Sequence, residues 1–179
     1  MKKLKLLAGD EFTTKNPMAL GVAINVVQTV KAVDNDSDYT HAGIITGPDG
    51  TSIESLWTVK SQNIYRAYAG QRIMIVRNAH MSIPVFLAGY EKVKPNIGQW
   101  YPFPRLLLHM IGMAKWVHWG HVVCSELVAK FEAGCAEKLG EENHGFLRNW
   151  YGVNPDNLVD RWRDSKHYEV IFEGVLGAE

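Results

Sequence analysis

Hydrophobic positions along the chain change period several times, and each change marks an element. Leu4 to Leu7 is a short apolar run that predicts a strand, closed by Gly9-Asp10. Asn16-Pro17 has a capping side chain followed by proline at the first helical position. Leu20, Ala23, Val27 and Val30 then repeat at helical spacing, predicting an amphipathic helix to about Val33, ended by the polar run Asp34 to Asp38. His41 to Thr46 and Thr51 to Trp57 are β-rich runs around Gly47-Pro48-Asp49-Gly50, a turn with proline at its second position, which predicts a hairpin. Gln71 to Arg77 predicts a buried strand and Pro84 to Val93 a helix, with Pro95 as its breaker. Gly98 to Arg105, rich in proline and aromatics, predicts an irregular segment, and Leu106 to Val117 an apolar helix.

A further helix opens at Cys124. Leu127, Val128, Phe131 and Cys135 follow it at the spacing of one buried stripe. Asn154-Pro155-Asp156 opens a short helix after a loop-rich stretch, and the alternating Tyr168 to Phe172 predicts a strand that closes the sheet. At 179 residues, without internal repeat, low-complexity tract or linker, the chain predicts one domain spanning residues 1–179.

The hairpin carries more information than its existence. A symmetric turn pairs Thr46 with Thr51, hence Gly43 with Glu54 and His41 with Leu56. Paired residues share a face, so His41, Gly43 and Glu54 project together, with His41 and Glu54 as diagonal neighbours roughly 7–8 Å apart at the backbone. Glycine opposite Glu54 leaves room between them.

Composition removes whole classes of function. The chain has 179 residues, 46% apolar and 21% charged, with 19 basic residues against 19 acidic ones. No basic footprint for nucleic acid is present. Cys124 and Cys135 are too few for a disulfide framework, and on one helix they stand about 16 Å apart along the axis, too far to bridge. Met1 to Ala8 starts like a signal peptide but meets Gly9-Asp10-Glu11 at once, and no run approaches the roughly 20 apolar residues of a membrane span. The expectation is a cytoplasmic protein without a membrane span.

Chemistry centres on Cys124. In the first turn of a helix, unpaired amides and the dipole favour a thiolate. A thiol nucleophile also needs a base within hydrogen-bond reach and a third group to orient that base. His41 and Glu54 supply those types side by side. Each residue also has an ordinary structural role open to it: Cys124 as a small buried hydrophobe, His41 as a satisfied core side chain, Glu54 on a solvated sheet face. Their joint occurrence favours the triad.

Tyr39-Thr-His41-Ala-Gly-Ile-Ile, Ser52-Ile-Glu54-Ser and Val123-Cys124-Ser-Glu-Leu-Val128 resemble the permuted papain-like enzymes of the NlpC superfamily. The likeness is greatest to the YiiX-like branch, with lecithin:retinol acyltransferase more distant. Gly9-Asp10 and Asn154-Pro-Asp-Asn-Leu158 extend it over most of the chain, although Tyr65 to His118 matches no motif. The resemblance implies a circularly permuted papain-like α+β fold, with an antiparallel sheet or partial barrel packed against the helix that carries the cysteine. It places the family's nucleophile on Cys124, its base on His41 and its orienting residue on Glu54.

The expected function is a cysteine hydrolase of amide bonds, of peptide or γ-glutamyl type, working through a thioester acyl-enzyme on a small peptide-like or acyl substrate, with no cofactor. Lipid ester hydrolysis or acyl transfer by the same triad is the alternative. Two rivals come from other residues. His118, His121 and Cys124, spaced by three, suggest a zinc face, but Gly120 interrupts the helix and no fourth ligand is evident. The tryptophans at 100, 116, 119, 150 and 162 suggest an apolar groove in a catalytically silent binding module.

Overall fold

A computed structural model of the chain describes residues 4–15, 39–100, 122–141, 150 and 153–177. The expected helix from Pro17 to Val33, the stretch from 101 to 105 and the Leu106 to Val117 helix lie outside these residues. Six antiparallel strands form one sheet: β1 (Glu11–Thr14), β2 (His41–Ile45), β3 (Thr51–Ser55), β4 (Val59–Asn63), β5 (Arg72–Asn78) and β6 (Tyr168–Val175), in the spatial order β4-β3-β2-β1-β5-β6. Four helices accompany them: α1 (Ile64–Ala67), α2 (Ile83–Val93), α3 (Cys124–Leu139) and α4 (Pro155–Asp164). A 3₁₀ turn over Lys94–Asn96 follows α2, where Pro95 was expected to break it. The fold is α+β, and among the described residues no helix is long and apolar enough to cross a membrane.

The first strand is not where apolar pattern put it. Leu4 to Leu7 forms no strand, and β1 is the more polar Glu11–Thr14. Asp10 explains the shift. Its carboxylate accepts the Leu7 N–H at 2.8 Å and both faces of a fork from Arg77, at 2.7 and 2.8 Å, which turns the chain before Glu11. Gly9 supports that turn with a φ of 95°, open to glycine at no steric cost. Beyond it β1 pairs with β2 on one side and β5 on the other, so all four of its residues are buried. Backbone pairing on both edges, rather than side-chain polarity, decides this strand. Two short elements without an apolar period, β4 and α1, were also not anticipated; Asn63 caps α1 by accepting from Tyr65 N at 3.1 Å.

The hairpin is as expected. Thr46 N–H donates to Thr51 O at 2.7 Å, and Gly43, Ile44 and Ile45 face Glu54, Ile53 and Ser52. Gly50, at a φ of 86°, ends the turn in a conformation other residues avoid.

Register divides the sheet into two buried faces. Glu11, Ile44, Ile53 and Val76 share one, against which α3 lays Leu127, Val128 and Phe131. The expected stripe on α3 is thus its core face, and Gly140, at a φ of 72°, terminates the helix. Burying Phe131 completely is worth roughly 3 kcal/mol in removed apolar area. Phe12, Ile45, Ile73 and Ile75 share the other face with Tyr65 and Tyr68. That second face carries His41 and Glu54.

Candidate active site

The hairpin brings the first two groups together. His41 Nε2 lies 2.8 Å from Glu54 Oε2, and both side chains are about 1% exposed or less. Gly43, directly opposite Glu54, is where a side chain would stand in the way: a β-carbon there would come within 2.7 Å of Glu54 Cγ and 2.6 Å of the Phe12 ring.

Cys124 arrives from a distant part of the sequence, and three contacts fix its position. Ser55 Oγ, at the end of β3, donates to Val122 O at 2.8 Å, tying the approach of α3 to the end of the sheet where β2 begins. Ser125 Oγ donates to Val153 O at 2.6 Å, anchoring the first turn to the segment before α4. Glu126 reaches back to accept the Val123 N–H at 3.2 Å. Cys124 is then the first residue of the helix, buried, and beside His41. Because Nε2 of His41 is engaged by Glu54, Nδ1 is the nitrogen left for the thiol.

Electrostatics at the imidazole follow from this placement. Burial alone would strip His41 of its proton; the hydrogen bond and charge of Cys124, then those of Glu54, outweigh burial and raise its pKa from 6.5 to about 10. Burial pushes the Glu54 carboxyl upward, but His41, Ser52 and Tyr68 together bring it below its ordinary value. Cys135 contrasts with the site. It is buried in the α2–α3 contact, 3.6 Å from Val85 O, and burial first, then the charges of Glu11 and Glu132, push its thiol far up.

Three side chains around Glu54 were not among the expected site residues. Ser52 Oγ donates to Glu54 Oε1 at 2.5 Å; Gln62 Nε2 donates to Oε2 at 2.7 Å; the Tyr68 hydroxyl donates to Oε2 as well. Tyr68 also packs its ring 6.0 Å from that of His41 and 5.7 Å from that of Phe12. The period-2 rule does put Ser52 on the Glu54 face. Gln62 and Tyr68 lie on β4 and just past α1, the elements without an apolar signature.

The remaining sequence candidates fall partly outside the described residues. His118 and His121 lie outside the described residues, as do Trp116 and Trp119. Among the described residues no group of three or more His, Cys, Asp or Glu side chains is placed to hold a metal ion. Trp162 is a core residue of α4, with its Nε1 donating to Glu132 at 2.7 Å, and Trp100 is exposed beside β4, so these two do not line a common groove.

No family model and no curated protein matches the sequence. Among solved structures, the chain is similar to the metalloprotein YiiX of Escherichia coli O157:H7, with a TM-score of 0.64 and 16% identity over 95% of this chain and 98% of that one. At this identity the likeness is one of fold, and it spans nearly the whole of both chains. The six-stranded sheet with its packed helices is a YiiX-like fold.

Proposed function

We propose that the protein is a cysteine-dependent hydrolase of amide bonds, of the permuted papain-like kind in the NlpC superfamily, with Cys124 as nucleophile, His41 as base and Glu54 as the residue that orients His41. The observation that carries this reading is the buried His41–Glu54 contact with Cys124 beside the same imidazole. Three chemically matched groups from β2, β3 and the start of α3 support it, all of them buried.

In this reading the Cys124 proton rests on His41 as an imidazolium, held by Glu54. The thiolate sulfur attacks the substrate carbonyl carbon, forming the C–S bond, and the carbonyl electron pair moves to oxygen. The Cys124 N–H, at a helix start where the first amides have no intrahelical acceptor, can donate to that oxyanion. As the intermediate collapses the C–N bond breaks, and His41 gives its proton to the leaving amine. Neutral His41 then takes a proton from water; hydroxide oxygen adds to the thioester, the C–S bond breaks, and the acid leaves as the thiolate–imidazolium pair is restored.

The test is the rate of Cys124 alkylation against pH, read by mass spectrometry, with Cys135 as internal control. The expected result is labelling of Cys124 at and below pH 7 at least about tenfold faster than Cys135, with the profile moved upward in pH by His41→Ala. Equal, slow labelling of both thiols, unaltered by that variant, overturns the proposal. Screening amides and esters for turnover then separates hydrolysis of the two bond types.

A further inference from the structure

Glu54 is surrounded by donors from four different places. His41 Nε2 and Gln62 Nε2 reach its Oε2 at 2.8 and 2.7 Å, the Tyr68 hydroxyl reaches the same oxygen, and Ser52 Oγ reaches Oε1 at 2.5 Å. An ionised carboxylate offers about four acceptor sites and no donor. Three donors crowd the two acceptor sites of Oε2, and Ser52 takes one of the two on Oε1. A proton on Oε2 would have to displace one of its three donors, and a proton on Oε1 would leave all of them on a neutral acid, a weaker acceptor, in a place where the carboxyl is fully buried and water cannot compensate.

We propose that Ser52, Gln62 and Tyr68 are positioning residues that lock Glu54 as a carboxylate, so that His41 always presents Nε2–H to Glu54 and keeps Nδ1 as the nitrogen that exchanges a proton with Cys124. The lock acts on tautomer as well as on charge. A buried His–Glu pair has two forms: imidazolium with carboxylate, or neutral imidazole with carboxylic acid. Only the first keeps His41 a donor through Nε2, and the donor cage favours it. Tyr68 has a double part. Its ring braces the imidazole from one side at 6.0 Å while its hydroxyl holds the anion, and Gln62 Nε2 lies 3.2 Å from that hydroxyl, keeping it turned toward Glu54. The cage deepens the acyl-enzyme reading and rests on it for its catalytic meaning, but its effect on Glu54 is measurable without any substrate.

Carbon-13 NMR of the glutamate side-chain carboxyls tests this in the full chain, with the Glu54 resonance identified by its loss in Glu54→Gln. In the unaltered protein it should titrate below the ordinary carboxylate range, the direction its hydrogen bonds impose against burial. Tyr68→Phe and Ser52→Ala should each move that titration upward, and Ser52→Thr, which keeps the hydroxyl, should return it. Tyr65→Phe, a neighbour in the same apolar cluster, should leave it unmoved. The acid limb of Cys124 alkylation should move upward with the Glu54 titration. If Tyr68→Phe does not fold, the Ser52→Ala and Ser52→Thr pair carries the test. An identical Glu54 titration in all folded variants overturns the lock. A titration that moves in a protein that turns over no amide or ester leaves the lock standing and sinks the acyl-enzyme reading instead.

Discussion

Glu11 of β1 and Glu132 of α3 are buried carboxyls set against each other in the core, on the face of the sheet opposite His41. Two buried carboxyls in contact cannot both ionise cheaply, so the pair holds a proton. Burial, then the charge and hydrogen bond of Glu132, raise the Glu11 carboxyl well above its ordinary value, with Asp10 adding and Arg161 opposing. Burial also raises Glu132, against the hydrogen bond of Glu11, the Arg161 guanidinium 3.5 Å away, and bonds from Trp162 and Tyr168. Glu132 has the cationic and donor partners, so the proton belongs on Glu11.

A raised carboxyl stabilises the fold fully below its unfolded value of 4.5, and that stability is lost as pH rises through the folded value. Glu11→Gln keeps a donor toward Glu132 and has no proton to lose. The expected outcome is a flatter stability curve above pH 4.5 and a variant more stable than the parent at pH 8, by on the order of 1 kcal/mol or roughly 2–4 °C in Tm. Thermal melts of both proteins across pH check it; a variant less stable at every pH would refute the shared proton.

The His41–Glu54 pair has the opposite dependence at each end. Its Glu54 part, from a lowered carboxyl, is complete above 4.5 and lost as pH falls below that. Its His41 part, from a raised imidazole, is complete below 6.5 and lost as pH rises through about 10. Glu54→Gln should remove the first and weaken the second, which Cys124 also sustains, lowering stability by about 3–5 kcal/mol near neutral pH, the usual cost of breaking a buried pair. Urea unfolding at pH 5, 7 and 10 reads it, with the smallest difference expected at pH 10.

Gly43→Ala tests the space between these two residues. Its backbone would tolerate alanine, but the new methyl would sit 2.6 Å from Phe12 and 2.7 Å from Glu54 Cγ. Overpacking of this kind costs about 1–3 kcal/mol. Because the crowded atoms belong to Glu54, Cys124 alkylation should slow along with the fall in Tm. A Tm loss with unaltered alkylation would show that Phe12 absorbs the whole displacement.

The amino-acid order alone determined the hairpin, its register and the helix that starts at Cys124. These depend on local quantities: the length of the Gly47–Gly50 turn, the two-residue period of the strands, and the spacing of Leu127, Val128, Phe131 and Cys135 along one helix. From them followed the meeting of His41 with Glu54, two neighbours across one turn. Tertiary structure decided the rest. Glu11–Thr14 is a central strand because β2 and β5 flank it, and its side chains give no sign of that. The apolar stripe of α3 was legible, but the burial of Glu132 within it depends on Glu11, Arg161, Trp162 and Tyr168, brought in from β1, α4 and β6. Likewise Gln62 and Tyr68 meet Glu54 only once β4 and α1 have folded back over β3. Whether a polar side chain is buried is set by the partners that satisfy it, and those partners are distant in the chain.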